Sequence, residues 1–399
     1  MAPSDPLAWI DTELEALARA NLRRYLTVRQ GPQSGAHISL DGRELINFGS
    51  NDYLGLANRC LLPGIQRALE HGGWGSGASP LITGRGRLHA ELELGLAKFE
   101  KTEAALLFPS GFVANLATVA ALVGPQDVIF SDQNNHASII DGCRLSRAHV
   151  VIFNHADTDH LRQLLSQATS CRRRLIVTDS LFSMDGDFAP LESLAQLAEE
   201  HDAMLMVDEA HATGVFGQNG RGVCESLGVE DGVHLRVGTL SKGLGSIGGF
   251  VAARRPVIDW LANQARGYFF STAPPETVAA AGLMALEIVT NEPQRRCQLL
   301  AQAAVLRDRL IQNGWQTGPS ASQIVPVYLG DADSTMAMTQ RLRKAGLFVP
   351  GIRPPSVREG RCLLRISLTF DHRDEMIGRL VEELGTNRAG CRGESSEQN

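Results

Sequence analysis

The sequence predicts an α/β protein: a large domain around a mainly parallel sheet, then a smaller C-terminal α+β domain. Between residues 104 and 240, short apolar runs alternate with helical periodicities. The runs are apolar throughout, as in strands covered on both faces, and helical crossovers between such strands make them parallel. Beyond residue 275 the pattern changes to two long helical stretches followed by isolated strands.

Residues 7–30 read as an amphipathic helix, with Leu7, Ile10, Leu14, Leu17 and Leu22 on its apolar side. Strands 37–40 and 44–48 flank Asp41-Gly42, a common hairpin turn. Residues 72–86 form a glycine-rich loop and 88–101 a helix. Then come strand 104–108, helix 111–122, and strands 127–131 and 150–153. Helix 158–167, strand 175–179, helix 191–201 and strands 204–207 and 236–240 complete the alternating region. Helices at 275–290 and 293–312 precede strands at 324–329 and 363–368. The tail after Gly385 is polar and expected to be disordered. The expected organisation is an arm over 1–50, a large domain over 51–285, a small one over 286–385 and a tail over 386–399.

Composition narrows the functional classes. A chain of 399 residues with 43% hydrophobic residues can bury such a core. A net charge of −6 argues against a broad nucleic-acid surface. No apolar run approaches a membrane span. The start, Met1-Ala2-Pro3-Ser4-Asp5, lacks the basic region of a secretory signal. Seven scattered cysteines, with no CxxC pair or Cys/His cluster, indicate neither a disulfide framework nor a metal site, and suit a reducing cytoplasm.

Among the 38 basic residues only four are lysines, Lys98, Lys101, Lys242 and Lys344, so amine chemistry has few candidates. Lys98 and Lys101 end a helix, and Lys344 precedes Gly346 in the same manner, where a cation complements the helix dipole. Lys242 alone stands in a glycine-rich strand-end setting, Thr239-Leu240-Ser241-Lys242-Gly243. Desolvation there would lower its pKa and make it nucleophilic. Ligands of open α/β sheets lie outside the carboxyl ends of strands. The strand Leu205-Met206-Val207 ends in Asp208, with His211 three residues on. That acid could be catalytic, a metal ligand or a partner for a cofactor nitrogen; a capping acid beside a surface histidine is an equally good reading.

Gly243-Leu244-Gly245-Ser246-Ile247-Gly248 matches a dinucleotide-binding pattern. It leads into a strand at 249–253 and lacks the later acid, which removes a dehydrogenase reading. Ser110-Gly111-Phe112 opens a helix, where free N–H groups and the dipole could hold a phosphate, although an ordinary capped helix reads the same. Thr239, Ser241, Ser271 and Thr272 offer further hydroxyls. His136 follows strand 127–131 and could stack on a flat ring, and Ser183 follows strand 175–179. As a set, these strand ends suit a flat, phosphorylated aldehyde.

The chain resembles the α-oxoamine synthases, pyridoxal-phosphate (PLP) enzymes of the aspartate-aminotransferase fold type (fold type I). The resemblance rests on Ser50-Asn51-Asp52-Tyr53-Leu54-Gly55, Gly75-Ser76-Gly77-Ala78-Ser79, Ser110-Gly111-Phe112 and His136-Ala137-Ser138. It continues through Phe182-Ser183-Met184-Asp185-Gly186-Asp187, Val207-Asp208-Glu209-Ala210-His211 and Ser241-Lys242-Gly243, spanning roughly residues 45–370. Ala212 and Ser241 replace glycines common in relatives, and neither change removes a catalytic group. Gly84-Arg85-Gly86-Arg87-Leu88-His89 and Ile352-Arg353-Pro354-Pro355-Ser356-Val357 fit the branch of biotin synthesis, which joins L-alanine to a pimeloyl thioester of coenzyme A or acyl carrier protein. Other branches use glycine or serine with other acyl groups.

The resemblance implies that Lys242 forms a Schiff base with PLP and moves the Cα proton. It implies that Asp208 pairs with the ring nitrogen, that His136 stacks on the ring, and that His211 and Ser183 contact the ring hydroxyl. Gly111, Phe112 and Thr239 are implied at the phosphate, and Arg23 (or its neighbour Arg24) and Ser356 at the substrate. It also implies a homodimer, with segments 72–79 and 268–272 reaching the neighbouring subunit's site.

Overall fold

The computed structural model describes residues 5–32 and 34–387. Its centre is a seven-stranded sheet in the spatial order Ala104–Phe108, Gly249–Ala253, Leu235–Thr239, Ala203–Asp208, Arg174–Asp179, Val128–Asp132, His149–Phe153. The five strands from Leu235–Thr239 onward are parallel. Gly249–Ala253 runs antiparallel to both its neighbours, so the sheet is mixed but mainly parallel. Its strands are apolar on both sides because both faces are covered. From Ala203–Asp208, Met206 joins one apolar cluster with Ile139 and Ala114, whereas Leu205 and Val207 join another with Leu194 and Leu161.

Register decides what the sheet can present. Asp179 lies opposite Asp208, so their two strands end at one level, and Asp208 lies opposite Val237, two residues before the end of Leu235–Thr239. The segment 243–248 leads into a strand and not a helix, as its sequence predicts.

A second sheet joins Ile324–Gly330, Cys362–Ser367 and Gly351–Ile352, all antiparallel. The hairpin His37–Leu40 and Arg43–Asn47 turns through Asp41 (φ 51°) and Gly42 (φ 75°), the left-handed pair that a tight hairpin needs. Leu347–Phe348 pairs in parallel with Arg43–Asn47, tying the N-terminal arm to the C-terminal region. The helix Glu276–Asn291 runs across residue 285 and packs on the helices Leu62–Gly72 and Arg87–Phe99.

The first helix is shorter than its periodicity predicts, covering only Trp9–Arg19. None of its residues is buried, so no core rewards its extension. Asn21 takes a left-handed conformation (φ 54°), and the N–H groups of Leu22 and Arg23 both return to the carbonyl of Leu17. Tyr25, Leu26 and Val28 beyond it are exposed.

Helices at Ala137–Ser146, Arg255–Gln264, Ala332–Lys344 and Asp374–Leu384 were not legible. In Ala137–Ser146 the poor helix former Gly142 lies against the backbone of Leu116, so packing overrides propensity. Among the described residues, no helix is long and apolar enough to cross a membrane. The tail expected over 386–399 lies outside the described residues except for Thr386 and Asn387.

Candidate active site

The strand ends place two buried carboxylates side by side. Asp208 Oδ2 accepts a hydrogen bond from Asn115 Nδ2 at 2.5 Å, and Oδ1 accepts one from the Ala210 N–H at 2.7 Å. On the adjoining strand, Asp179 Oδ2 accepts from the His136 N–H at 2.7 Å. Burial, and next the charge of Asp208, push the Asp179 carboxyl well above the usual carboxylate range. Such a pair favours a cation nearby.

Lys242 follows the next strand and is half-buried. Burial pulls its ammonium down to about 8 against the attraction of Asp208 and Asp179, and Arg365 adds to the fall. Near neutral pH part of it is the free amine that nucleophilic or base chemistry requires.

His136 caps the helix Ala137–Ser146, a placement its setting as a loop residue did not suggest. Its Nδ1 accepts from the Ser138 hydroxyl at 2.7 Å. Asn115 Nδ2, which bonds Asp208, also reaches Ser138 Oγ at 3.0 Å. A hydrogen-bonded chain therefore runs from Asp208 through Asn115 and Ser138 to His136 and fixes the ring. Burial lowers the His136 pKa, with Asp208 opposing and Lys242 reinforcing, so the ring is a neutral imidazole. Phe112 meets it edge-on, with centroids 6.2 Å apart.

His211 is buried, with Nδ1 2.6 Å from the Tyr53 hydroxyl, and Gln323 holds its carbonyl at 2.8 Å. Burial, then the charges of Lys242 and Arg365, drive its pKa well below the ordinary histidine value.

Ser110 caps the helix Gly111–Leu122 through the Val113 N–H at 3.2 Å. Thr239 lies against Gly111, where a Cβ would come within 3.3 Å of it. A Cβ on Gly249 would fall 2.5 Å from the Gly111 nitrogen, so both glycines keep this helix start open. Thr239 Oγ1 donates to the Gly248 carbonyl at 2.8 Å and accepts from the Ser241 N–H at 3.1 Å. The donor set fits a phosphorylated, cationic aromatic aldehyde: a buried anion, an unpaired amine, a neutral imidazole and an open helix N-terminus.

The main residue that sequence reasoning missed is Arg365. It lies in the buried strand Cys362–Ser367, where a charge in an apolar run was the available signal. Its guanidinium donates to the Ser183 carbonyl at 2.5 Å, Ser367 Oγ at 2.7 Å and Asn51 Oδ1 at 3.2 Å. Among the described residues no carboxylate lies within ion-pair distance of it. Asn115 and Asp179 were also missed: an asparagine inside an apolar helix announces no site, whereas Asp179 ends its apolar strand as Asp208 does, and that was the available signal.

Beside these groups is a cleft of about 500 Å³ whose lining includes Asn135, His155, Ser183, Ser356, Arg358 and Arg361. Lys242 is not in its lining, but Asn135 is, and its Oδ1 accepts the Asp179 N–H at 3.0 Å, so the cleft that Ser356 lines adjoins the strand ends. Arg23 is turned onto the Tyr25 ring, 5.3 Å from its centroid, while Arg24 donates to the Pro354 carbonyl at 3.2 Å. Among the described residues, no group of His, Cys, Asp or Glu is placed to hold a metal ion.

The family model for aminotransferase class I and II matches residues 43–384. The 8-amino-7-oxononanoate synthase of Citrifermentans bemidjiense is 46% identical over 381 residues, covering 94% of this chain and 97% of its own. That of Anaeromyxobacter dehalogenans is 48% identical over 368 residues, covering 92% of each chain. Among solved structures, a serine palmitoyltransferase of S. paucimobilis with a bound PLP–myriocin aldimine superposes with a TM-score of 0.90 at 31% identity, covering 95% of this chain and 97% of that one.

Proposed function

The chain belongs to the class I and II aminotransferase family, with the PLP-dependent fold of that family, and we propose that it catalyses the 8-amino-7-oxononanoate synthase reaction. In that reaction L-alanine condenses with a pimeloyl thioester, of coenzyme A or acyl carrier protein, with loss of carbon dioxide. The observation that carries the reading is the placing of Lys242, unpaired and with a lowered pKa, beside Asp208 on adjoining strand ends. The two relatives quoted above that are named for this reaction are 46% and 48% identical over more than nine-tenths of this chain, which favours the alanine branch.

PLP, when bound, supplies an aldehyde that captures amines and a ring that withdraws electrons from the alanine Cα. Lys242 would be its covalent anchor. The Asp208 carboxylate, fixed by Asn115 and Ala210, would hold a proton on the ring nitrogen. His136 would cover one face of the ring, and His211 and Ser183 would lie at its hydroxyl. Gly111, Phe112 and Thr239 would receive the phosphate, aided by the helix start. Arg365 would take the alanine carboxylate, because its guanidinium bonds only neutral acceptors. Lys242 Nζ, once free, removes the Cα proton and later returns one, as a base with a pKa near neutrality does best. The cleft towards Ser356 would admit the acyl chain, with Arg23 or Arg24 near its mouth.

The active unit in this reading is a homodimer. Ser76 Oγ bonds the Pro274 carbonyl at 2.8 Å and the Ala273 N–H bonds Ala78, joining the glycine-rich loop to the segment after 268. These segments leave Trp74, Leu81, Ile82 and Phe270 exposed, an apolar surface suited to a second copy. The six described cysteines are all free, which supports a cytoplasmic setting. The test is turnover with alanine, glycine and serine against pimeloyl, acetyl, succinyl and palmitoyl thioesters. Alanine with a pimeloyl thioester should give the fastest release of carbon dioxide, and preference for any other pair overturns the assignment.

A further inference from the structure

His155 lies outside the groups assigned above, in the turn after the strand His149–Phe153. Its Nδ1 is 2.9 Å from Asp132 Oδ1 and its Nε2 is 2.9 Å from Asp187 Oδ2. A neutral imidazole has one N–H, so it can donate to only one carboxylate; bonding two ionised ones takes both ring protons. Asp187 Oδ1 is buried without a hydrogen-bond partner, so this side chain's pairing rests on Oδ2 and the histidine. The ring sits edge-on to Phe182, with centroids 4.4 Å apart. Its remaining side opens on the cleft, where the charged lining residues are Asp185, Arg358 and Arg361. Burial alone would lower the His155 pKa, but hydrogen bonds and charge from Asp132 and Asp187 carry it up to about 10.

The two acids belong to different loops. Asp132 also accepts from the Asn134 N–H at 2.8 Å and the Ala156 N–H at 2.9 Å, and so anchors the turn that leads to His136. Ala156 takes φ 56°, a conformation alanine rarely adopts, which lets this N–H and the His155 ring grip one carboxylate together. Asp187 closes the turn 182–187 through its carbonyl, which accepts from the Phe182 N–H at 3.0 Å. That turn carries Ser183, whose carbonyl receives Arg365.

We propose that His155 is a positioning residue that bridges Asp132 and Asp187 and thereby sets the spacing between the His136 loop and the Ser183 loop across the acyl cleft. The proposal rests on the function given above for the chemistry of the cleft, but the bridge itself can be tested without substrate. In the holoenzyme with isotope-labelled histidine, the His155 resonances, assigned by their loss in His155→Gln, should be those of a doubly protonated ring up to pH 8.5. A titration midpoint near the ordinary histidine value, ~6.5, overturns the proposal whatever the variants do to turnover.

The kinetic arm separates positioning from a purely structural role. His155→Gln should raise KM for the pimeloyl thioester roughly ten- to hundredfold, the scale set by small misplacements. Because His136 and Ser183 both lie at the cofactor ring in this reading, the cofactor spectrum and the spectral change on adding L-alanine should shift with it. Adding Asp187→Asn, which removes the uncompensated charge, should recover part of that loss. A fall in thermal stability with unchanged KM would make His155 structural only and refute the proposal. If the parent enzyme does not turn over a pimeloyl thioester, the functional reading fails while the resonance experiment still decides the bridge.

Discussion

Replacing Asp208 by asparagine removes one charge and keeps the shape, and its effect can be worked from its two hydrogen bonds. Oδ1 accepts from Ala210 and Oδ2 from Asn115, so either orientation of the new amide sets one N–H₂ against a donor. Asn115 can relieve this by turning, because its own Oδ1 is buried without a partner. The variant should therefore fold. The electronic loss is not repairable: the proton on the ring nitrogen loses its counter-charge. We expect a loss of about 3 kcal/mol or more of transition-state stabilisation, on the order of a hundredfold in kcat. The carboxylate also raises the Lys242 pKa against burial, so its removal lets that pKa fall below its value of about 8. A base must be deprotonated to act, so activity in the parent should rise with pH through its lysine pKa, and in Asp208→Asn that limb should shift to lower pH. Turnover of alanine and pimeloyl thioester from pH 6 to 10, with cofactor occupancy followed by absorbance, measures both effects. Near-normal kcat with an unmoved limb would mean that the carboxylate is structural.

In the parent protein, borohydride should fix PLP to a single peptide containing Lys242; label on Lys98, Lys101 or Lys344 refutes the anchor, and Lys242→Ala should fold but not turn over. Arg365→Gln should raise KM for L-alanine roughly ten- to hundredfold, since hydrogen bonds to a charged group contribute about 1.5–3 kcal/mol; an unchanged KM places the alanine carboxylate elsewhere. For the dimer, Lys242→Ala mixed with a Ser271→Ala/Thr272→Ala variant under subunit exchange should regain activity, because one hybrid site carries neither lesion. Full activity in a species that light scattering measures as a monomer excludes shared sites.

Much of the site was legible because strand ends concentrate function in an open sheet. Asp208, Lys242 and His136 each follow an apolar run, and the parallel alternation of the chain told which end of each run mattered. Register was not legible. That Asp179 faces Asp208 follows from strand pairing between elements 24 residues or more apart, which periodicity does not encode. Arg365 escaped because its strand belongs to the three-stranded sheet, and only the tertiary fold brings it to Ser183 and Tyr53. The first helix was overread for a related reason: its apolar side finds no core, so periodicity alone could not extend it past Arg19.

Arg365 also links the three-stranded sheet to the strand ends of the large one. Its positive charge is one of the influences that lower the Lys242 pKa, while Asp208 and Asp179 raise it. An alanine carboxylate on Arg365 would cancel that positive charge and strengthen Lys242 as a base once substrate is seated. Water in the same position would leave the guanidinium uncompensated and the amine weaker. In the proposed reaction, base strength would then be coupled to occupancy of the amino-acid site through an arginine that performs no proton transfer itself and that the strand Cys362–Ser367 supplies.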